Sequence, residues 1–125
     1  MKLCLFSVSY AGFWGQHALS LNEFIAQSAK LGYDSVMLMG KRPHLAPLDC
    51  SPELIESING ALEHHQVKCA IIGGYTDFAG SAAAEVPLVE LQIQYVQQLA
   101  EIASQLGAST VRIFTAYDSP RQTPQ

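Results

Sequence analysis

The sequence predicts an α/β fold of four parallel strands and three helices in β-α-β-α-β-α-β order. Three observations carry this. Short apolar runs begin near residues 2, 34, 68 and 110. The segments between them show the 3.6-residue periodicity of amphipathic helices. Two stretches, "LGYDSVML" and "LGASTVRIF", repeat one scheme, in which a helix-ending leucine-glycine leads through a few polar or small residues into a strand. Strands joined through helices of this length run parallel, with right-handed crossovers.

The first strand is the run 2–8, with Leu3, Cys4, Leu5, Phe6 and Val8. Its length and continuity fit a buried strand. Ser20 and Glu23 form a capping box that opens the first helix. Leu21, Phe24, Ile25 and Ser28 share one face of that helix, and Gly32 supplies its left-handed stop. The second strand is 35–39. Ser51 and Pro52 give the next helix its N-cap and first residue, with Leu54, Ile55, Ile58, Ala61 and Leu62 facing inward. His64 and His65 close it. They complement the helix dipole, and as adjacent residues they should diverge rather than share a metal. The third strand, 68–72, runs into Gly73-Gly74 and a loop of small residues. Pro87 opens the longest helix, with Leu88, Leu91, Tyr95, Leu99, Ile102 and Leu106 in register, and Gly107 ends it. The fourth strand is 110–115. Residues 118–125 show no pattern and read as a loose tail.

A chain of 125 residues can bury one genuine core, so one domain over 1–125 is expected. Hydrophobic residues make up 49% and charged residues 14%, an ordered composition that also suggests apolar surface awaiting cover. A net charge of −4 without a basic run argues against a nucleic-acid partner. Three cysteines with no C-x-x-C pair give neither a disulfide framework nor a zinc site. Cys4 and Cys69, inside strands, are expected to be buried thiols. The apolar run near Met1 is too short for a signal-peptide core or a membrane span. A soluble, cytoplasmic chain with no membrane partner is the expectation.

No helix follows the fourth strand, and a parallel sheet needs both faces covered. Two architectures fit: a self-contained small sheet, or half of a (β/α)8 barrel, which typically takes about 250 residues. In both, ligands meet the carboxyl ends of the strands. That selects the loops 9–19, 40–50, 73–86 and from 116 onward. Their polar and aromatic residues are Tyr10, Trp14, His17, Lys41, Arg42, His44, Asp49, Tyr75, Asp77, Tyr117 and Asp118.

Taken together, "GYDSVMLMGKRPHLAPLD", the strand ending "GGYTDF", and "LAEIASQLGASTVRIFTAY" resemble the amino-terminal half of a sugar-phosphate isomerase/epimerase. These belong to the xylose-isomerase-like TIM-barrel superfamily, which also holds endonuclease IV-type repair enzymes. The likeness spans residue 2 to about residue 117. It implies a partial (β/α)8 barrel. It also implies a divalent metal (Mn, Mg, Zn or Co) in a full-length relative, held by two glutamates, an aspartate and a histidine from later strands. No metal ligand, cofactor or acid/base pair transfers onto this chain. What it would contribute is substrate-binding wall for aldose–ketose isomerisation or ketose epimerisation, with no turnover expected of this half alone.

The substrate-binding candidates are His44, Tyr75, Trp14, Asp77 and Arg112. His44 stands either as a hydrogen-bonding group toward a sugar oxygen or as a solvated loop histidine. Tyr75 and Asp77 follow a Gly-Gly that lets backbone approach a ligand, though Asp77 also suits turn chemistry. Trp14 either closes over a sugar's apolar face or plugs the core beneath its loop. His17 reads as a surface or staple residue. Arg112 lies inside a strand and needs a partner, which the absent half would supply unless the strand is an exposed edge. Lys41 and Arg42 together are a weak phosphate signal. The implied partners are a sugar or sugar phosphate, and either a missing carboxyl-terminal half or a second copy of the chain. The alternatives are an endonuclease IV-like repair barrel and a non-enzymatic α/β binding module.

Overall fold

The computed structural model of the chain describes residues 1–15, 17–80 and 83–117. Asp118 and the expected tail 118–125 lie outside the described residues. Four strands, β1 (Cys4–Phe6), β2 (Ser35–Met39), β3 (Lys68–Gly73) and β4 (Thr110–Arg112), form one parallel sheet in the order β1-β2-β3-β4. Three helices, α1 (Leu21–Lys30), α2 (Pro52–His64) and α3 (Leu88–Gln105), fill the crossovers. With strands in sequential order, every right-handed crossover turns the same way, so all three helices fall on one face. A self-contained open sheet must reverse its strand order to cover both faces. This sheet does not reverse. It is the wall of a partial (β/α)8 barrel, helices outside and the other face turned inward.

The caps act as their residue types require. The Ser20 side chain accepts the Glu23 N–H, and the Glu23 carboxylate accepts the Ser20 N–H at 2.8 Å. Ser51 caps α2 by accepting the Leu54 N–H at 3.2 Å. All three helices end in the same doubly bonded turn, with Tyr33 N–H to Ser28 O, Val67 N–H to Leu62 O and Ala108 N–H to Ala103 O at 2.8–3.1 Å. Gly32 and Gly107 take the left-handed residue at φ 84° and 71°, while in α2 Gln66 does so at φ 55°. The leucine-glycine repeat therefore shows in two of the three units only.

The core lies between helices and sheet. Phe24 and Ile25 of α1, Val36 and Leu38 of β2, Ile58 of α2, Ile72 of β3 and Leu99 of α3 are all fully buried there. Each contributes about 1.5–3 kcal/mol of hydrophobic stabilisation. The alternate strand residues, Cys4, Phe6, Met37, Ile71, Thr110 and Arg112, line the inner face, and none is buried.

Several expectations need correction. Cys4 is exposed, because it points to the face no helix covers; Cys69 is buried as expected, and burial pushes its thiol up to about 12. β1 stops at Phe6 rather than Val8. There Ser7 enters a short 3-10 turn, and its hydroxyl, not a ladder carbonyl, accepts the Met39 N–H at 2.9 Å. β4 stops at Arg112 because the next strand-like N–H, of Phe114, goes to the Thr76 hydroxyl at 3.0 Å. Leu91, expected inside, is half exposed. At 18 residues α3 is roughly 27 Å long, so its first turns overhang the short strands. His64 and His65 do not diverge; their rings meet edge to face at 4.7 Å, since His65 already lies outside the regular helix as its C-cap.

Candidate functional site

At the carboxyl ends of the strands a cavity of about 340 Å³ opens on the inner face. Phe6 and Val8 reach it from β1 and its turn, Phe13 and Trp14 from the following loop. Met37 and Lys41 come from β2 and its end, Tyr75 from beyond β3, Arg112 from the end of β4 and Phe114 from just beyond it. A larger hollow, about 840 Å³, opens at the opposite, amino-terminal strand ends around Lys2, Asp34 and Lys68. In this architecture that end serves stability and the carboxyl end serves chemistry, so the smaller cavity is the candidate site.

Three of the five expected substrate-binding residues, Trp14, Tyr75 and Arg112, meet in this cavity. Trp14 is 74% exposed, which rules out a core plug, and packs edge-on against Phe13 at 6.0 Å. Arg112 lies over the rings of Phe114, Tyr75 and Phe6, at 4.1, 5.1 and 5.6 Å. Lys41 sets its Nζ 4.8 Å from the ring centres of both Phe13 and Tyr75. Burial pushes the Tyr75 phenol up, against the pull of the neighbouring Arg112. Tyr75 is held from behind by α3: its N–H donates to the Tyr95 hydroxyl, which donates in turn to the Gly40 carbonyl at 2.6 Å.

Gly73 and Gly74 do provide a close approach, but to the protein's own atoms. A Cβ at Gly73 would sit 3.0 Å from an Arg112 guanidinium nitrogen and 2.8 Å from the Met37 methyl. One at Gly74 would sit 2.9 Å from the Arg112 carbonyl and from Leu99. The missing side chain at Gly73 leaves room for the Arg112 guanidinium, and the one at Gly74 leaves room for the Arg112 carbonyl.

The other two candidates are elsewhere. His44 is buried, 6% exposed, with both ring nitrogens engaged. Nε2 lies 3.0 Å from the Leu19 carbonyl, which can only accept, so Nε2 carries the proton. Nδ1 then accepts from the Ser7 hydroxyl at 3.0 Å. Burial lowers the imidazole from its ordinary value, opposed by the Leu19 bond. His44 is thus neither a solvated loop residue nor a free donor to a ligand; it clasps three segments together. Asp77 is outside the cavity and caps its own turn, accepting the Ala79 N–H at 3.2 Å. Arg42, half of the expected phosphate pair, is taken by a two-pronged ion pair with Asp49 at 2.5 and 2.6 Å.

Sequence reasoning missed Phe6, Phe13 and Phe114 as lining residues, since apolar aromatics near strand ends read as core. It also missed Thr76, buried, whose hydroxyl donates to the Phe114 carbonyl and fixes the loops after β3 and β4 side by side.

A family model for the xylose isomerase-like TIM barrel matches residues 25–125. The chain belongs to this family. Solved structures agree with it in fold. The probable 3-DHS dehydratase AsbF from Bacillus anthracis is 22% identical, with a TM-score of 0.69 over 91% of this chain and 38% of its own. D-psicose 3-epimerase from Clostridium cellulolyticum H10, solved with D-tagatose, is 14% identical, with a TM-score of 0.71 over 100% and 42%. An AP endonuclease, family 2, from Brucella melitensis is 16% identical, with a TM-score of 0.57 over 92% and 41%. The chain spans about two fifths of the length of these structures. A search of curated proteins finds no match.

The family implies a divalent metal. Among the described residues no group of three His, Cys, Asp or Glu side chains is placed to hold one. The two charged residues of the cavity, Lys41 and Arg112, would repel a cation, so this wall does not fit a metal.

Proposed function

We propose that this chain forms the substrate-receiving wall of a sugar isomerase- or epimerase-like barrel, of the type that interconverts aldoses and ketoses or inverts a ketose carbon. The observation that carries this is the convergence of Phe6, Phe13, Trp14, Tyr75 and Phe114 around Arg112 and Lys41 at the carboxyl strand ends. Aromatic faces pack on the C–H faces of sugars, and fixed cations and phenols bind their oxygens. Similar folds solved with D-tagatose and D-fructose support a ketose-sized ligand. The residues of this wall bind and orient. None is a carboxylate suited to proton abstraction, so the acid/base step belongs to groups outside it.

Trp14 is the single tryptophan and lines the cavity, so its fluorescence reports directly on occupancy. Titration of the chain with D-fructose or D-tagatose should give a saturable change in emission, without epimerisation detectable by polarimetry. A flat titration up to molar sugar would sink the assignment.

A further inference from the structure

We infer that the cavity is selective for an anionic sugar, with Lys41 and Arg112 together gripping an oxyanion carried by a ligand that rests on the aromatic wall. This rests on the sugar assignment above and adds the charge of the substrate. The whole chain has 7 Lys and Arg against 11 Asp and Glu, yet both charged residues lining this cavity are cations. The neighbouring Arg42 shows what a neutralised cation looks like here, locked onto Asp49. Neither Lys41 nor Arg112 has a carboxylate within ion-pair distance among the described residues. Both stand within about 5 Å of the centre of the same Tyr75 ring, reached from different strand ends.

Their surroundings hold them in place without neutralising them, and the Tyr75 hydroxyl beside Arg112 takes up only part of its five donors. Arg112 is half-buried against Phe114, Tyr75 and Phe6, and Gly73 clears its path across the sheet. Ring faces stabilise a cation but accept no in-plane hydrogen bond, and a guanidinium has five donors in its plane. An oxyanion takes such donors in pairs. Phosphate and carboxylate both supply such an oxyanion, since each presents a pair of acceptor oxygens to the guanidinium fork. The sequence alone pairs Lys41 with Arg42, whereas the fold pairs it with Arg112.

The test is Trp14 fluorescence of the 125-residue chain with four probes: D-fructose 6-phosphate, D-glucuronate, D-fructose and inorganic phosphate. At low salt an anionic sugar should saturate at a concentration about tenfold or more below that of fructose. The gap should shrink as salt rises. Which of the two anionic sugars shows the gap identifies phosphate or carboxylate. Lys41 is exposed, so Lys41→Met should leave the far-ultraviolet circular dichroism unchanged while reducing the preference to about threefold or less. Arg112→Lys, which keeps charge but loses the planar fork, should also reduce it. Equal affinity for fructose and both anionic sugars overturns this inference and leaves the sugar assignment standing. A response to inorganic phosphate with none to any sugar overturns both, as does silence to all four probes. A preference for an anionic sugar that survives in Lys41→Met overturns the assignment of Lys41 to the grip.

Discussion

At the scale of single residues, His44 has the clearest consequence. Its ring joins the turn after β1 through Ser7, the loop before α1 through Leu19, and the end of β2, because Ser7 also accepts the Met39 N–H. Every polar atom in the chain of bonds is satisfied only when the imidazole is neutral. A proton on Nδ1 would make the Ser7 oxygen the acceptor of both that N–H and the Met39 N–H, and would leave the Ser7 hydroxyl proton without its acceptor in this chain of bonds. Burial holds the pKa of His44 below its ordinary 6.5, so the unfolded chain takes up this proton more readily than the folded one. The stabilisation is therefore full above about pH 6.5, the unfolded value. It is lost as pH falls through the lower folded value. Urea melts between pH 7.5 and 5.5 should show stability declining, with the His44 ring protons titrating below 6.5 by NMR. A midpoint above 6.5 would contradict the bonding scheme. Replacing His44 by Ala strands the Ser7 hydroxyl and the Leu19 carbonyl and opens a cavity, and should cost about 2–4 kcal/mol at pH 7.5. The His44 site was half legible. The sequence places it at a strand end, but its burial depends on Leu19, 25 residues away.

Among the elements, the helices were the most legible and the strand ends the least. The capping box at Ser20, the Ser51-Pro52 start and the inward faces of α1 and α2 lie where periodicity puts them, because local hydrogen bonds and spacing decide them. β1 and β4 are shorter than their apolar runs because the side chains of Ser7 and Thr76 capture ladder N–H groups. No local pattern announces such a capture. The Gly73-Gly74 turn gives a contrast that can be measured. A methyl at Gly74 meets the Arg112 backbone carbonyl, which has no room to move, and should destabilise by about 1–3 kcal/mol. At Gly73 it meets the far ends of Met37 and Arg112, which can swing aside. Gly73→Ala should therefore cost less in a denaturant melt than Gly74→Ala, while displacing Arg112 from the cavity. The reverse order of stabilities would mean that the backbone contact at Gly74 is not the limiting one.

For the whole molecule, strand order governs behaviour. With β1-β2-β3-β4 in sequence and helices on one face, β1 and β4 are edge strands of the described sheet, and its inner face carries Phe6, Met37 and Ile71 without a covering layer. Unpaired parallel edges recruit other strands. The 125-residue chain should therefore elute in size-exclusion chromatography with light scattering as a species heavier than its 13.6 kDa monomer. A clean monomer at tens of micromolar would show that the edges and inner face are tolerated in water.

By itself the sequence determined the alternation of strands and helices, the helix faces that form the core, and the end of the sheet where ligands belong. These follow from periodicity, caps and turn residues, all set by neighbours within a few positions. Only the tertiary structure decided that Cys4 faces an uncovered side, that His44 is a clasp, that Arg42 is neutralised while Lys41 is not, and that Lys41 and Arg112 share one aromatic wall. Those outcomes depend on which strands lie side by side and on which face the crossovers place the helices. Side-chain partners tens of residues apart are chosen by that packing, and one-dimensional spacing does not encode it.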